Sequence, residues 1–186
     1  MKERKLIISE QYEIVFQTRP QSPSDTPFRK RMRLHQSKFR ADKLKVDFGF
    51  GPTVSSNRRY GNMLKTEDGN RGLNFLDPKI FEAVKKRIAK KSGAVETFRL
   101  LNNMLSSQPL CFNLFGLMDE DTELATDFWK IHFPERVKRI TKVEFEFAPL
   151  PKEKYLSDST AFDVYFEYLN KKDENGFVNS VQNVLF

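Results

Sequence analysis

Two stretches of alternating residues constrain this chain most. They are Lys142-Val143-Glu144-Phe145-Glu146-Phe147-Ala148-Pro149 and Thr160-Ala161-Phe162-Asp163-Val164-Tyr165-Phe166-Glu167-Tyr168. Successive side chains of a strand point to opposite faces, so alternation of apolar and polar residues marks half-buried strands. The pattern predicts Val143, Phe145 and Phe147 on one face and Glu144 and Glu146 on the other. In the second strand it sets Phe162, Val164, Phe166 and Tyr168 against Asp163, Tyr165 and Glu167. Paired over one aromatic core, the strands would gather Glu144, Glu146, Asp163 and Glu167 on the opposite face. Facing like charges on a sheet are unfavourable. Bound divalent metal is one way to make them tolerable; the other is a plain solvated face beside Lys142 and Lys154.

Upstream of these strands the periodicity turns helical. Asp77 is a good N-cap, Pro78 fits the first helical position and Gly93 fits just past the end. Between them Ile80, Phe81, Val84, Ile88 and Ala89 form an apolar stripe opposite Lys85, Lys86, Arg87, Lys90 and Lys91. A second helix is predicted from about Ala94 to Leu105, and a buried one entered at Pro109. A fourth is capped within Asp119 to Thr122, runs to about His132 and is closed by Pro134. Phe177 to Phe186 reads as a third strand after the polar turn Asn170 to Gly176. Helices followed by a meander give an α+β fold, with helices packed on a small mixed or antiparallel three-strand sheet. Among the 18 Phe, the core is expected to hold Phe112, Phe115, Phe128, Phe145, Phe147, Phe162 and Phe166.

Charge divides the chain unevenly. Residues 1–60 hold 14 Lys+Arg and 6 Asp+Glu, a net of +8; the remainder holds 18 and 19, a net of −1, which together make the +7 of the whole. The organisation expected is therefore a basic N-terminal region, 1–76, and an α+β core, 77–186. The first part opens with an extended, turn-rich stretch to Pro27. A helix over 28–40 then sets Phe28, Met32, His35 and Phe39 against Arg29, Lys30, Arg31, Arg33, Lys38 and Arg40. Guanidinium groups suit phosphate through two-point hydrogen bonds, so the expected partner is DNA, with Lys85, Lys86 and Lys90 assisting. A merely solvated basic arm is the competing reading. Residues 48–62, rich in Gly, Ser and Asn, read as a surface loop, and Asp68 to Gly72 as a turn. No apolar run is long enough to cross a membrane, the first residues do not form a signal peptide, and the single Cys111 excludes an internal disulfide. A cytoplasmic location with no membrane partner is the expectation.

The run Arg99-Leu100-Leu101-Asn102-Asn103-Met104-Leu105-Ser106-Ser107-Gln108-Pro109-Leu110-Cys111-Phe112-Asn113-Leu114-Phe115-Gly116 resembles a bacterial group within the PD-(D/E)XK, restriction-endonuclease-like superfamily. So do Tyr60-Gly61-Asn62-Met63-Leu64, Gly72-Leu73-Asn74-Phe75-Leu76 and Thr160-Ala161-Phe162-Asp163. The resemblance spans about residues 28–177. It implies a metal-dependent DNA endonuclease, in which a strand-two Asp and a strand-three Glu-x-Lys surround Mg²⁺, with Mn²⁺ as the alternative ion. Asp163 matches the strand-two Asp. Glu146 is the candidate second metal ligand and catalytic acid, and Glu96 a weaker one. The third strand departs from the family: it reads Asn179-Ser180-Val181-Gln182-Asn183-Val184-Leu185-Phe186, and neither acid nor Lys follows Glu174. The expectation is an incomplete restriction-endonuclease-like core, shortened or frame-shifted before Glu-x-Lys, with impaired cleavage. The alternative is a non-catalytic DNA-binding module that uses the basic helix.

Overall fold

The structure is a computed structural model that describes residues 25–91, 95–148 and 161–171, and the backbone of 181–185. The fold is α+β, with two small antiparallel sheets. The chain forms two compact units: Met1–Leu76 with Glu96–Leu110, and Asp77–Val95 with Cys111–Phe186. The extended, turn-rich stretch expected before Pro27 lies, as far as Ser24, outside the described residues.

In the first unit, helix α1 (Pro27–Phe39) starts at Thr26, whose hydroxyl accepts from the Arg29 N–H at 3.2 Å, with Pro27 in the first turn. A π-helical turn, Arg40–Leu44, continues it and ends at Lys45 in the left-handed region, φ 57°. The expected apolar stripe is not the face that packs. Phe28 and His35 are exposed, and the inward face carries Arg33, Ser37, Arg40 and Ala41. Backbone carbonyls decide this. Arg40, 1% exposed, donates from Nε to Gly61 O at 2.8 Å and from Nη1 to Val46 O. Arg33 grips Asp25 through Nε and Nη2 and donates to Asn62 Oδ1 at 2.6 Å. A guanidinium that satisfies buried acceptors can replace apolar packing at such positions.

The stretch read as a loop over 48–62 is largely a hairpin, β1 (Phe48–Gly51) paired antiparallel with β2 (Arg58–Leu64). Its glycines are needed for contact: a Cβ on Gly49 would lie 2.2 Å from Leu64 O. Asp68 and its neighbours sit in a short helix, α2 (Thr66–Asn70). Helix α4 (Thr97–Asn102) delivers Asn102, whose Nδ2 donates to Leu64 O at 3.2 Å and Lys65 O at 2.9 Å. Asn74 Nδ2 donates in turn to Leu100 O at 2.9 Å.

The second unit begins with α3 (Pro78–Ala89). Asp77 accepts from the Lys79 N–H at 2.7 Å, as its N-cap chemistry predicts. The buried face is Ile80, Ala83, Val84 and Arg87, so Arg87 lies inside, not among the lysines. Helix α5 (Ser107–Phe115) contributes its last turns to this unit, followed by α6 (Leu117–Glu120) and α7 (Thr122–His132), the last capped by Asp121. The sheet is an antiparallel meander in the order β3 (Val137–Phe147), β4 (Phe162–Asn170), β5 (Val181–Leu185). Phe112 stacks on Phe145 with centroids 4.0 Å apart, and Phe115 meets Phe166 edge-on at 5.7 Å. Thr126 of α7 accepts from the Ile140 N–H of β3 at 2.9 Å. Of the seven expected core phenylalanines, Phe112, Phe145 and Phe166 are buried; Phe115, Phe128, Phe147 and Phe162 are half-buried. Each buried ring is worth about 3–5 kcal/mol against truncation to Ala.

Candidate functional site

The strands β3 and β4 hold the acids, but not as one cluster. Phe145 pairs with Val164 and Phe147 with Phe162, so Glu146 and Asp163 occupy facing positions on neighbouring strands. Glu146 adopts φ +50°, a conformation that residues with a side chain rarely take. The alternation predicted for β3 breaks there. Glu146 is only 5% exposed. Phe147, expected on the core face, instead stacks on Tyr165 at 4.1 Å, with Lys142 Nζ 5.9 Å from its ring centroid. The positive φ interrupts the alternation, and Phe147 lies on the side of Tyr165 and Lys142.

Glu144 and Glu167 stay with Lys142, whose Nζ lies 2.7 Å from Glu144 and 3.9 Å from Glu167. A lysine therefore relieves half of the expected four-carboxylate face. Glu146 and Asp163 remain as a pair.

Arg87 holds the turn. The residue is 5% exposed, and its guanidinium donates from Nε to Phe145 O at 2.7 Å and from Nη2 to Glu146 O at 3.1 Å. Sequence reading set Arg87 among the solvated lysines, although it follows Ile80 by seven residues, two turns along the same helical face. Cys111 of α5 senses both acids. Burial first, then the charges of Asp163 and Glu146, push its thiol from the ordinary 9.0 up to about 12. The thiol is neutral at physiological pH and is no nucleophile.

Glu146 and Asp163 would supply two carboxylates to a hard cation such as Mg²⁺, which is usually held by one or two carboxylates plus waters and phosphate. No set of three or more His, Cys, Asp or Glu suited to a metal occurs among the described residues. Glu96 is committed elsewhere: it caps α4, accepting from the N–H groups of Phe98 at 3.2 Å and Arg99 at 2.7 Å. On β5 the described ladder ends with Leu185 opposite Tyr165, two residues short of Asp163, and Val181–Leu185 contains neither acid nor Lys.

The basic residues separate into two groups. Arg33 and Arg40 are engaged inside the first unit, whereas Arg29, Lys30, Arg31 and Lys38 are exposed on α1. In the second unit Lys85 pairs with Glu82 at 2.6 Å and Lys86 with Glu120, while Lys90 is exposed. Asp119 is pushed up from its usual value, by burial first and then by Glu120 and Glu144, against the opposing pull of Lys90 and Lys86.

Helices backing a three-strand antiparallel meander place the second unit in the α+β class. The chain belongs to the PD-(D/E)XK nuclease superfamily, whose family model matches residues 23–179. No curated protein and no solved structure matched the chain at a significant level. Nucleases of this superfamily generally use divalent metals. No helix among the described residues is long and apolar enough to cross a membrane.

Proposed function

We propose that this protein is a DNA-binding member of the nuclease superfamily in which Asp163 and Glu146 form the acidic half of a metal site. The observation that carries the reading is their facing position on adjacent strands, with the main chain at Glu146 held by Arg87. When bound there, Mg²⁺ would supply charge stabilisation and a more acidic water. The carboxylates would orient it, and burial of Glu146 would keep competing water away.

What the described third strand lacks is a second acid beside the metal and a cation near the attacking water. For that reason residues 1–186 are proposed to bind DNA with little cleavage. Lys171, just after β4, has an exposed side chain, so it is a poor substitute.

Binding is assigned to Arg29, Lys30, Arg31 and Lys38, with Lys90 assisting; Arg33 and Arg40 are given a structural role. The support is the net +8 of residues 1–60 and the exposure of these four side chains. Each phosphate contact should contribute a log–log salt slope of about −0.9 on duplex DNA. The test measures that slope for the intact chain and for a variant with all four residues changed to Ala, and follows plasmid nicking with Mg²⁺ and Mn²⁺ for the intact chain and Asp163→Ala. The expected results are a flatter slope in the quadruple variant and negligible nicking. An unchanged slope would refute the basic-helix assignment. Metal-dependent nicking that disappears in Asp163→Ala would show that two acids suffice, and would overturn the proposed lack of cleavage.

A further inference from the structure

The first unit contains a cavity of about 620 Å³ that the acidic pair does not involve. It lies within the usual range for small-molecule sites, roughly 300–1,000 Å³. Its walls come from α1, β2 and the segment after α4. Met32, Met63 and Met104 supply an apolar, polarizable lining. Three polar residues from three separate elements also line it, and their polar groups are the Tyr60 hydroxyl, the Gln36 side-chain amide and the Asn103 Nδ2 donors. None of these three groups makes a hydrogen bond among the described residues. Two of the three residues, Asn103 and Tyr60, are nonetheless held in place. Asn103 Oδ1 accepts from Asn62 Nδ2 at 2.9 Å and from the Leu105 N–H at 3.0 Å. The Tyr60 ring lies under the Arg33 guanidinium, 4.9 Å from its centroid.

The charge of this lining is of one sign. Arg29 and Arg33 are present, and among the described residues no carboxylate lines the cavity. Asp25 grips Arg33 at 2.9 Å, whereas Arg29 lies 3.9 Å from that carboxylate with 62% of its side chain exposed. Arg29 is therefore the cation available to an anion. An aromatic and thioether wall, donors and an acceptor at fixed positions, and a single cation together suit a planar heterocycle carrying a phosphate. We propose that this cavity receives one unpaired nucleobase of the bound nucleic acid. The base would contact the Tyr60 ring and the methionines, its edge would be read by Gln36, Asn103 and the Tyr60 hydroxyl, and its phosphate would meet Arg29.

This inference rests on the DNA-binding reading, and the experiment separates the two. The intact chain is titrated into a labelled duplex and into the same duplex carrying one unpaired adenine. Separately, dAMP, dGMP, dCMP and TMP are added to ¹⁵N-labelled protein and amide shifts are recorded. The unpaired adenine should raise affinity about tenfold, the size of effect one gained stacking partner produces. Tyr60→Phe and Gln36→Ala should each reduce that preference while retaining affinity for the perfect duplex. Mononucleotides should shift the amides of Gln36, Tyr60 and Asn103. Equal affinity for the two duplexes with no mononucleotide shifts would overturn the cavity proposal and leave DNA binding standing. Mononucleotide shifts without binding of either duplex would refute the DNA-binding reading, and with it a base delivered by bound nucleic acid, leaving a mononucleotide site. A preference that survives in both variants would locate the base elsewhere and refute the proposal. So would an acidic, Phe-containing peptide that shifts these amides where nucleotides do not.

Discussion

The guanidinium of Arg87 donates to the carbonyl oxygen of Glu146, the residue at which β3 leaves regular strand geometry. One cation from α3 thus sets the direction of the acid that faces Asp163. The interaction is buried at both ends, so it is rigid and costly to lose.

Replacing Arg87 with Ala should lower stability by about 2–6 kcal/mol, because two buried carbonyls lose a donor at about 1–3 kcal/mol each. Arg87→Lys should restore only part of this, since an ammonium lacks the planar fork that spans two acceptors. Urea unfolding of the three proteins checks the order. Equal midpoints for Arg87→Ala and the parent would remove Arg87 from its proposed positioning role.

Glu146 is the position where glycine should be tolerated better than alanine. Alanine at φ +50° pays about 1–2 kcal/mol of left-handed strain, whereas glycine pays about 0.5–1 kcal/mol in backbone entropy. Glu146→Gly should therefore exceed Glu146→Ala in stability by about 0.5–1 kcal/mol, measured by thermal unfolding of the pair. The opposite order would mean that the turn relaxes once the carboxylate is gone.

Cys111 should resist thiol reagents in the native protein. Its thiol is buried and titrates at about 12, so almost no thiolate exists at pH 8. Aromatic disulfide reagents should label it only as fast as the protein unfolds, and rapidly in denaturant. Fast labelling of the folded chain would contradict the packing described for α5. The sign for stability follows: a raised thiol pKa favours the folded state below about pH 9, and that contribution is lost as pH rises towards 12.

Asp119→Asn should stabilise the protein at neutral pH. The folded-state pKa of Asp119 is raised, by burial and by Glu120 and Glu144, so its ionised form is disfavoured. The folded state therefore holds this proton more tightly. Its contribution is fully present below the unfolded value of about 3.9 and is lost as pH rises through the folded pKa. The melting temperature of Asp119→Asn should exceed that of the parent at pH 7 and converge with it towards pH 3. A gap that widens in acid would reverse the assigned sign.

Much of the architecture is written in local chemistry. Asp77 followed by Pro78 and the alternation around Phe145 and Phe166 each specify structure within a few residues. Caps, periodicity and turns act over that range, so the meander and the helices before it could be read from the chain alone, as could the family from its Asn-Asn-Met and Phe-Asn-Leu-Phe run. Three other features depend on partners far away in sequence. Arg40 turned inward because carbonyls of Val46 and Gly61 needed donors. Arg87 was drawn from a row of lysines to carbonyls 58 and 59 residues away. Residues 48–62 became largely a hairpin because glycine allowed Gly49 to approach Leu64 O. The division of the four strand acids has the same origin. Alternation predicts one face, but a single positive φ at Glu146, held by a distant guanidinium, separates Glu146 from Glu144 and Glu167. Local patterns record which residues prefer burial; buried polar groups must also be satisfied, and the donor that satisfies them is chosen by tertiary packing.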